Sequence, residues 1–348
     1  MANDRIFYAC QGVAIQNCGA TGAVTTGQMV HGLQSIGVNT NFNLEQAFEL
    51  GQIAIYENIE GNPEIEVTME KLIDGYPLIY HLATSGIGPT GATTLLNRSK
   101  QKCQVILGIY PDTNDAIDTY DDPPPVEVFM SGLYVSSISY TFPVDGNSTE
   151  SVTLVGNHKQ WFVADGDKRL GSGSTNNFDN QDEPLGSGGV VRRQDVLVEG
   201  CIMPASIQGV NGTGVGNAAS GAVHIQTVTV STDLGREDIL ELGRKMPYAR
   251  PATFPVEVSC EIEVITTSGD FVDALEQGAS GLFWNPKASG NNTKDECIKI
   301  ITRQGLQIDL GCKNRLQSVT YGGGDAGGGN ATCTYSYVTY NTMNVDML

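Results

Sequence analysis

The stretch LQSIGVNTNFNLEQAFELG at residues 33–51 returns as IQTVTVSTDLGREDILELG at residues 225–243. From Gln34 and Gln226 to Gly51 and Gly243, at an offset of 192, seven of eighteen positions are identical. Unrelated segments of average composition share about one position over such a window. Other blocks repeat in the same order: EVTME at 66–70 meets EVSCE at 257–261 (offset 191), SSISY at 136–140 meets QSVTY at 317–321 (offset 181), and Cys10 meets Cys201. Such a chain must accommodate two versions of one supersecondary plan. We therefore read residues 1–160 and 192–348 as two copies of one domain, with 161–191 between them as a Gly/Ser/Asn/Asp-rich linker or surface loop.

Within a copy the pattern reads strand, helix, strand, strand, strand. Ile36 and Val38 alternate with polar neighbours, after which Leu44, Ala47 and Phe48 take helical spacing, with Asn43 and Gln46 as a capping pair and Gly51 as a stop. Ile239, Leu240 and Leu242 repeat this before Gly243. Period-two alternation over Glu64–Glu70 and Glu257–Val264 sends carboxylates to one side of a strand and aliphatics to the other, so one sheet face is wet and the other packed. The 348 residues suffice for two cores, and 42 glycines with 7% aromatics favour turns and thin sheets over a helical bundle. The expected fold is mainly β: two duplicated β-sandwich or barrel domains, each with a short flanking α-helix. Small half-open sheets leave long edges, which pairing with another chain would satisfy.

Candidate chemistry is sparse. With 39 acidic against 20 basic residues the net charge is -19, which repels phosphate backbones rather than gripping them. The first residues carry no basic region followed by an apolar run, and no stretch approaches eighteen uninterrupted apolar residues, so we expect a soluble chain with no membrane partner. Eight scattered cysteines, without C-x-x-C pairs or zinc-ligand spacing, read as reduced, mostly buried thiols. GIGPTG at 86–91 fits G-x-G-x-x-G, but Pro89 stands where helix amides should meet a pyrophosphate, and LEQGASGLFWNP in the second copy lacks the motif. The aspartates at 112, 115, 118, 121 and 122 lack the glycine and closing glutamate of a calcium loop and read as a solvated acidic segment. His31 and His224 precede the repeated strand in both copies, which fits a packing or interface role. No nucleophile and base stand out, and the expectation is a non-enzyme with no cofactor and no metal.

LQSIGVNTNFNLEQAFELGQ, EIEVTMEKLIDG and YVSSISYTFPVDGNSTESVTLVGN together resemble a tail tube protein of a long-tailed bacteriophage, and RLQSVTYGGGDAGGGNATCTYSYVTYN resembles the corresponding part again. The resemblance implies tail-tube-like domains of packed antiparallel sheets flanked by a helix, in a structural virion protein whose subunits form rings that stack into a tube for DNA. Members of that family mostly carry one such unit in hexameric rings. Two units per chain imply three chains per ring with pseudo-six-fold symmetry, the competing geometry being a double layer of six chains. The partners implied are the chain itself, through ring and ring-stacking contacts, and other phage tail proteins: tape measure, tail terminator, and baseplate or distal tail components. DNA passes through the lumen without specific binding, and the expected location is the virion tail, assembled in the host cytoplasm. An acidic bore would let DNA slide, and its candidates are Glu64, Glu66, Glu70, Glu257, Glu261 and Glu263. Candidates for subunit and ring contacts are Phe42, Leu44, Phe48, Leu50, Leu234, Ile239, Leu240 and Leu242. The alternative function is a virion decoration or receptor-binding β module, for which exposed aromatics such as Trp161 and Trp284 would be required.

Overall fold

The computed structural model describes residues 5–19, 27–84, 95–116, 123–163, 169–170, 178–179, 188–197, 201–204, 207, 224–265, 295–324 and 329–347. The first half contains β1 (Gln11–Gly19), β2 (Gly27–Met29), β3 (Leu33–Asn41), β4 (Leu44–Phe48), β5 (Ile55–Glu60) and β6 (Glu64–Leu72). Then follow α1 (Ile79–Thr84), α2 (Leu95–Arg98), β7 (Lys102–Ile109), β8 (Val126–Pro143), β9 (Thr149–Gly156), β10 (His158–Phe162) and β11 (Phe178–Asp179). The second half supplies β12 (His224–Asp233), β13 (Glu257–Ile265), β14 (Lys299–Ile301), β15 (Leu306–Asp309), β16 (Arg315–Gly322), β17 (Thr332–Tyr340) and β18 (Asn344–Met347). The fold is mainly β, as its composition and alternation lead one to expect.

One strand organises the whole. The first part of β8 pairs with β7 and β10, and its later part pairs with β9 and β12. The change of sheet falls at Gly132, whose φ of 67° lies in the left-handed region that a glycine adopts without a Cβ penalty. Beyond that bend the ladders run β3-β6-β9-β8-β12-β13-β17-β16, eight antiparallel strands in one sheet. Four come from each half, in matching order, and β8–β12 is the joint between the halves.

The bulges recur at matching places in the two halves. Gln34 is skipped in the β3–β6 ladder and Gln226 in the β12–β13 ladder; Ser136 is skipped in β8–β9 and Gln317 in β16–β17. These pairs keep the offsets of 192 and 181 found in the sequence. The ladders correct one alignment. Glu70 faces Ser35 beside the first bulge and Glu263 faces Thr227 beside its counterpart, so Glu64 corresponds to Glu257 and Glu70 to Glu263, two residues away from the EVTME–EVSCE match.

On the packed face, Val67 and Met69 of β6, Val152 and Leu154 of β9 and Cys260 and Ile262 of β13 join one buried cluster that runs through both halves. Val105 and Val128 of the upper sheet, Ile79 and Leu82 of α1, and Ile300, Ile308 and Val345 of the three-stranded sheet β14-β15-β18 cover it. The C-terminal strand also grips the first half, since the Val345 carbonyl accepts from His81 Nε2 at 2.8 Å and from Arg98 Nη2 at 3.4 Å. Burial pushes the His81 pKa down to about 4, which keeps the ring neutral there.

Two expectations are overturned. Residues 43–51 and 235–243 form no helix: Leu44–Phe48 is a strand paired with Ile55–Glu60, and 236–252 holds only the bridges Arg236–Ala252 and Ile239–Ala249. The helical spacing there covers barely more than one turn, too little to nucleate a helix, whereas the β-branched and aromatic run after Gly51 offers a partner strand. The cysteines are not all reduced: six are free and buried, but the Ile298 N–H bond to the Gly311 carbonyl, beside the Glu296–Asn314 bridge, sets the adjacent Cys297 and Cys312 together in a disulfide.

A buried carboxylate ties α1 to the sheet. Glu150 on β9 accepts the Ile79 N–H at 2.6 Å, the Tyr80 N–H at 3.1 Å and the Tyr140 hydroxyl at 3.1 Å. Burial raises its pKa from 4.5 to about 7, against the opposing pull of these donors and of Lys71. Because the folded-state value lies above the unfolded one, this group costs stability as pH rises through that interval. We expect the wild-type melting temperature to fall relative to Glu150→Gln between about pH 5 and 7.5, the gap levelling off above. Parallel melting curves across that range would contradict the assignment.

Candidate functional site: an acidic sheet face and two arms

All six candidate bore glutamates stand on one face of the eight-stranded sheet. Glu64, Glu66 and Glu70 alternate with buried Ile65, Val67 and Met69, and Glu257, Glu261 and Glu263 alternate with buried Val258, Cys260, Ile262 and Val264. Following the rungs outward from Glu70 crosses Ser151, Ser139, Ser231 and Ser259 in turn, and from Glu263 the rungs lead to Thr227 and Thr334. Ser231 and Ser259 share a hydrogen bond of 2.8 Å between their hydroxyls. The two glutamate rows lie four strand spacings apart, about 19 Å. Among the described residues the single cation at these rungs is Arg315, opposite Val338 at the far edge, and it pairs with Asp295 at 2.7 Å. Arg250 approaches Glu64 to 3.9 Å at one end. Hydroxyls and carboxylates in this pattern hydrate well, and the two arginines beside them are paired with Asp295 and Asp238.

The repeated segments leave the sheet as two arms. Arm 1 is the β4–β5 hairpin, and seven of the eight candidate contact residues are exposed on the arms or their flanks: Phe42, Leu44, Phe48 and Leu50 on arm 1, and Ile239, Leu240 and Leu242 on arm 2, residues 236–252. Leu234 is not among them; at 1% exposure it belongs to the core. Sequence reading missed Ile53, Ile55, Tyr56 and Ile59, which extend the apolar surface of arm 1 and whose signal was the alternation in IAIYENIE.

Arm 2 is anchored to the first half by Arg236. Its Nε and Nη2 donate to the Val135 carbonyl at 2.8 and 2.5 Å, and its Nη1 donates to the carbonyls of Ser99 at 2.8 Å and Arg250 at 3.0 Å. The guanidinium lies over the Tyr134 ring at 5.1 Å, and burial lowers its pKa to about 10, leaving it charged at neutral pH. Arg250 donates to Asp238 within the arm at 2.8 Å, and Lys245 reaches Glu60 of arm 1 at 3.8 Å, so arm 2 lies over the first half.

Other candidates do not converge. GIGPTG, the aspartates beyond Asp115, LEQGASGLFWNP with Trp284, and most of 164–189 lie outside the described residues. Asp112 and Asp115 are described, and among the described residues no group of three or more His, Cys, Asp or Glu could hold a metal ion. His31 stacks on Tyr76 at 4.4 Å while His224 opens β12 in the exposed class, so the two do not share a setting. No helix among the described residues is long and apolar enough to cross a membrane.

No protein-family model matches the chain, and no curated protein matches it. Among solved structures it is similar to a chain in the cryo-EM structure of the tube-terminating cap of the anti-feeding prophage, at 13% identity and a TM-score of 0.32 over 47% of this chain and 95% of that one. It is also similar to a chain in the six-fold symmetrised baseplate of the anti-feeding prophage, at 10% identity and TM-score 0.31 over 47% and 97%. A third likeness is to the extended sheath–tube complex of an extracellular contractile injection system, at 10% identity and TM-score 0.30 over 46% and 93%.

Removing the arm 2 anchor leaves buried carbonyls without their donor, a loss of about 1–3 kcal/mol for each group so orphaned. Arg236→Ala should lower stability by about 2–4 kcal/mol and speed hydrogen exchange over residues 236–252 while β13 stays protected. Unchanged exchange in the arm would contradict the anchoring role.

Proposed function

We propose that three copies of this chain close into a ring through their sheet edges, and that such rings stack into the tube of a phage-like tail. The observation that carries this reading is the β8–β12 joint, which sets the two halves side by side in one sheet and leaves β3 and β16 as its outer strands. Each has a ladder on one side only among the described residues. By the offsets of the duplication, β16 is the counterpart of β8 and β3 the counterpart of β12, so the free edges are the same kind of pair as the joined ones. An exposed β edge invites a strand from another chain, and closure in a ring removes every edge. Three chains, each giving eight strands, make twenty-four.

The internal joint supplies the register. Ser139 faces Ser231, Tyr140 faces Val230 and Ile138 faces Thr232. Their counterparts place Thr320 opposite Asn39, Tyr321 opposite Val38 and Val319 opposite Thr40 of the next chain. Tyr140 is fully buried and Tyr321 is 53% exposed in the single chain, as expected of a residue whose cover comes from a neighbour.

The second layer, with α1, the upper sheet and β14-β15-β18, covers the apolar face and needs the larger circumference, so it lies outside and the glutamate face lines the bore. An acidic, hydroxyl-rich wall repels phosphates and lets DNA pass without binding it. The apolar arms supply contacts between subunits and rings, and the tube ends meet tape-measure, terminator and baseplate or distal components. The protein thus acts in a virion tail, after assembly in the host cytoplasm, as a structural component and not as an enzyme.

Oxidising an Asn39→Cys/Thr320→Cys variant, or treating it with a short bismaleimide, should yield covalent dimers and closed trimers and nothing larger. A ladder running to hexamers, or monomers at every concentration, would contradict the trimeric ring.

A further inference from the structure

The two arms are built alike and loaded differently. The rung Leu44–Glu60 of arm 1 corresponds to Arg236–Ala252 of arm 2, and Ala47–Glu57 to Ile239–Ala249, every member displaced by 192. Gly51 and Gly243, at the same displacement, both hold positive φ, 96° and 85°. Residue for residue, then, Tyr56 stands where arm 2 has Tyr248, and Glu57 where it has Ala249.

Arm 2 already shows what such an arm sits on. Met246 to Arg250 close a hollow of the first half whose floor includes Gly132, Tyr134 and Asn157. At offsets of 181 along β16 and 183 along β17, those positions in the second half are Lys313, Arg315 and Tyr340. They line a hollow of their own, to which no residue of either arm contributes. The second half thus repeats the seat but has no arm in it.

The two arms differ in charge. Arm 2 carries four basic residues against Glu237, Asp238 and Glu241, and of the basic ones Lys245 reaches Glu60 of arm 1 and Arg250 reaches Glu64 of β6. The second-half seat instead offers Lys313 and Arg315, the latter paired with Asp295 at 2.7 Å, and residues 42–62 of arm 1 contain four glutamates, Glu45, Glu49, Glu57 and Glu60, and no lysine or arginine. A chain's own arm 1 contributes no residue to this seat. The arm leaves the sheet at β3 and β6, seven and six strand spacings or about 34 and 29 Å from β16, while a hairpin reaching from Leu44 to Gly51 extends about 25 Å.

We infer that arm 1 seats on the Lys313–Arg315 hollow of the neighbouring copy of this chain, with Tyr56 beside Tyr340 and Glu57 against the two cations. This rests on the ring reading, which brings β3 of one chain to β16 of the next. It adds a rule of order. Arm 1 with its glutamates meets Glu64 if it takes the first-half seat, and Lys245 and Arg250 of arm 2 meet Lys313 and Arg315 if they take the second, so like-charge contacts disfavour both misplacements. Halves of different chains are thereby forced to alternate around the ring.

The test compares Glu57→Lys, the double variant Lys313→Glu/Arg315→Glu, and their combination, each with and without the Asn39→Cys/Thr320→Cys pair, by sedimentation across a concentration series. All of these positions are on the surface, and matched melting curves check the fold of each variant. The expected result is that either charge reversal raises the concentration for half-assembly by at least about tenfold, a change of about 1.4 kcal/mol, and that the combination recovers most of it. A Glu57→Cys/Lys313→Cys variant should also cross-link between chains. If reversals leave assembly unchanged, or the combination is no better than the single reversals, while Asn39→Cys and Thr320→Cys still cross-link, the arm seat is wrong and the ring stands. If that edge cross-link is missing with unaltered arms, the ring falls and the seat falls with it.

Discussion

Seven rungs between β8 and β12, from Pro143–Thr227 to Ser137–Asp233, decide what this molecule is. Without them the chain would hold two four-stranded half-sheets, each with two bare edges. With them it holds one sheet with, among the described residues, a single bare edge at either end, one apolar face under a common core, and one hydrophilic face with two rows of glutamates. The register, the burial of Tyr140 and the covering arm are all present once inside the chain and once in a form that lacks its partner.

The two halves also differ where equivalence would be a liability. Glu150, Tyr140 and Lys71 make the first half's core locally polar, and the position of Glu150 is taken by Cys333 in the second. Arm 2 carries its own anchor in Arg236, whereas arm 1 has Leu44 at that place and no contact of comparable kind. The glutamate-bearing hydrophilic face is common to both halves. Divergence is concentrated at arms and seats, where charge can specify which half meets which.

Much of this was legible from residues alone. Strict alternation around Glu64–Glu70 and Glu257–Val264 told which side of two central strands is wet, and Gln34 with Gln226 marked the repeat because a bulge sits at each. The arms were misread because three residues, Leu44, Ala47 and Phe48, fit one helical turn as well as a strand, and the deciding partner, IAIYENIE, pairs across a turn. EVTME and EVSCE match best by identity two residues out of register, since period-two strands look alike after a shift of two. The Cys297–Cys312 bond left no signal in spacing, because it depends on a cross-strand bridge between their neighbours. Nothing in the composition of Lys313 and Arg315 distinguished them from ordinary surface cations until the ladders set them over Gly132 and Tyr134.

The central claim is that one chain occupies two adjacent places in a closed ring. End-on electron-microscopy averages of the assembled protein, taken without imposed symmetry, address it directly. The account predicts a hollow ring of six similar lobes whose true symmetry is three-fold, with lobes alternating around the circumference. Six whole chains per ring in two stacked layers, or open arrays without a bore, would contradict it.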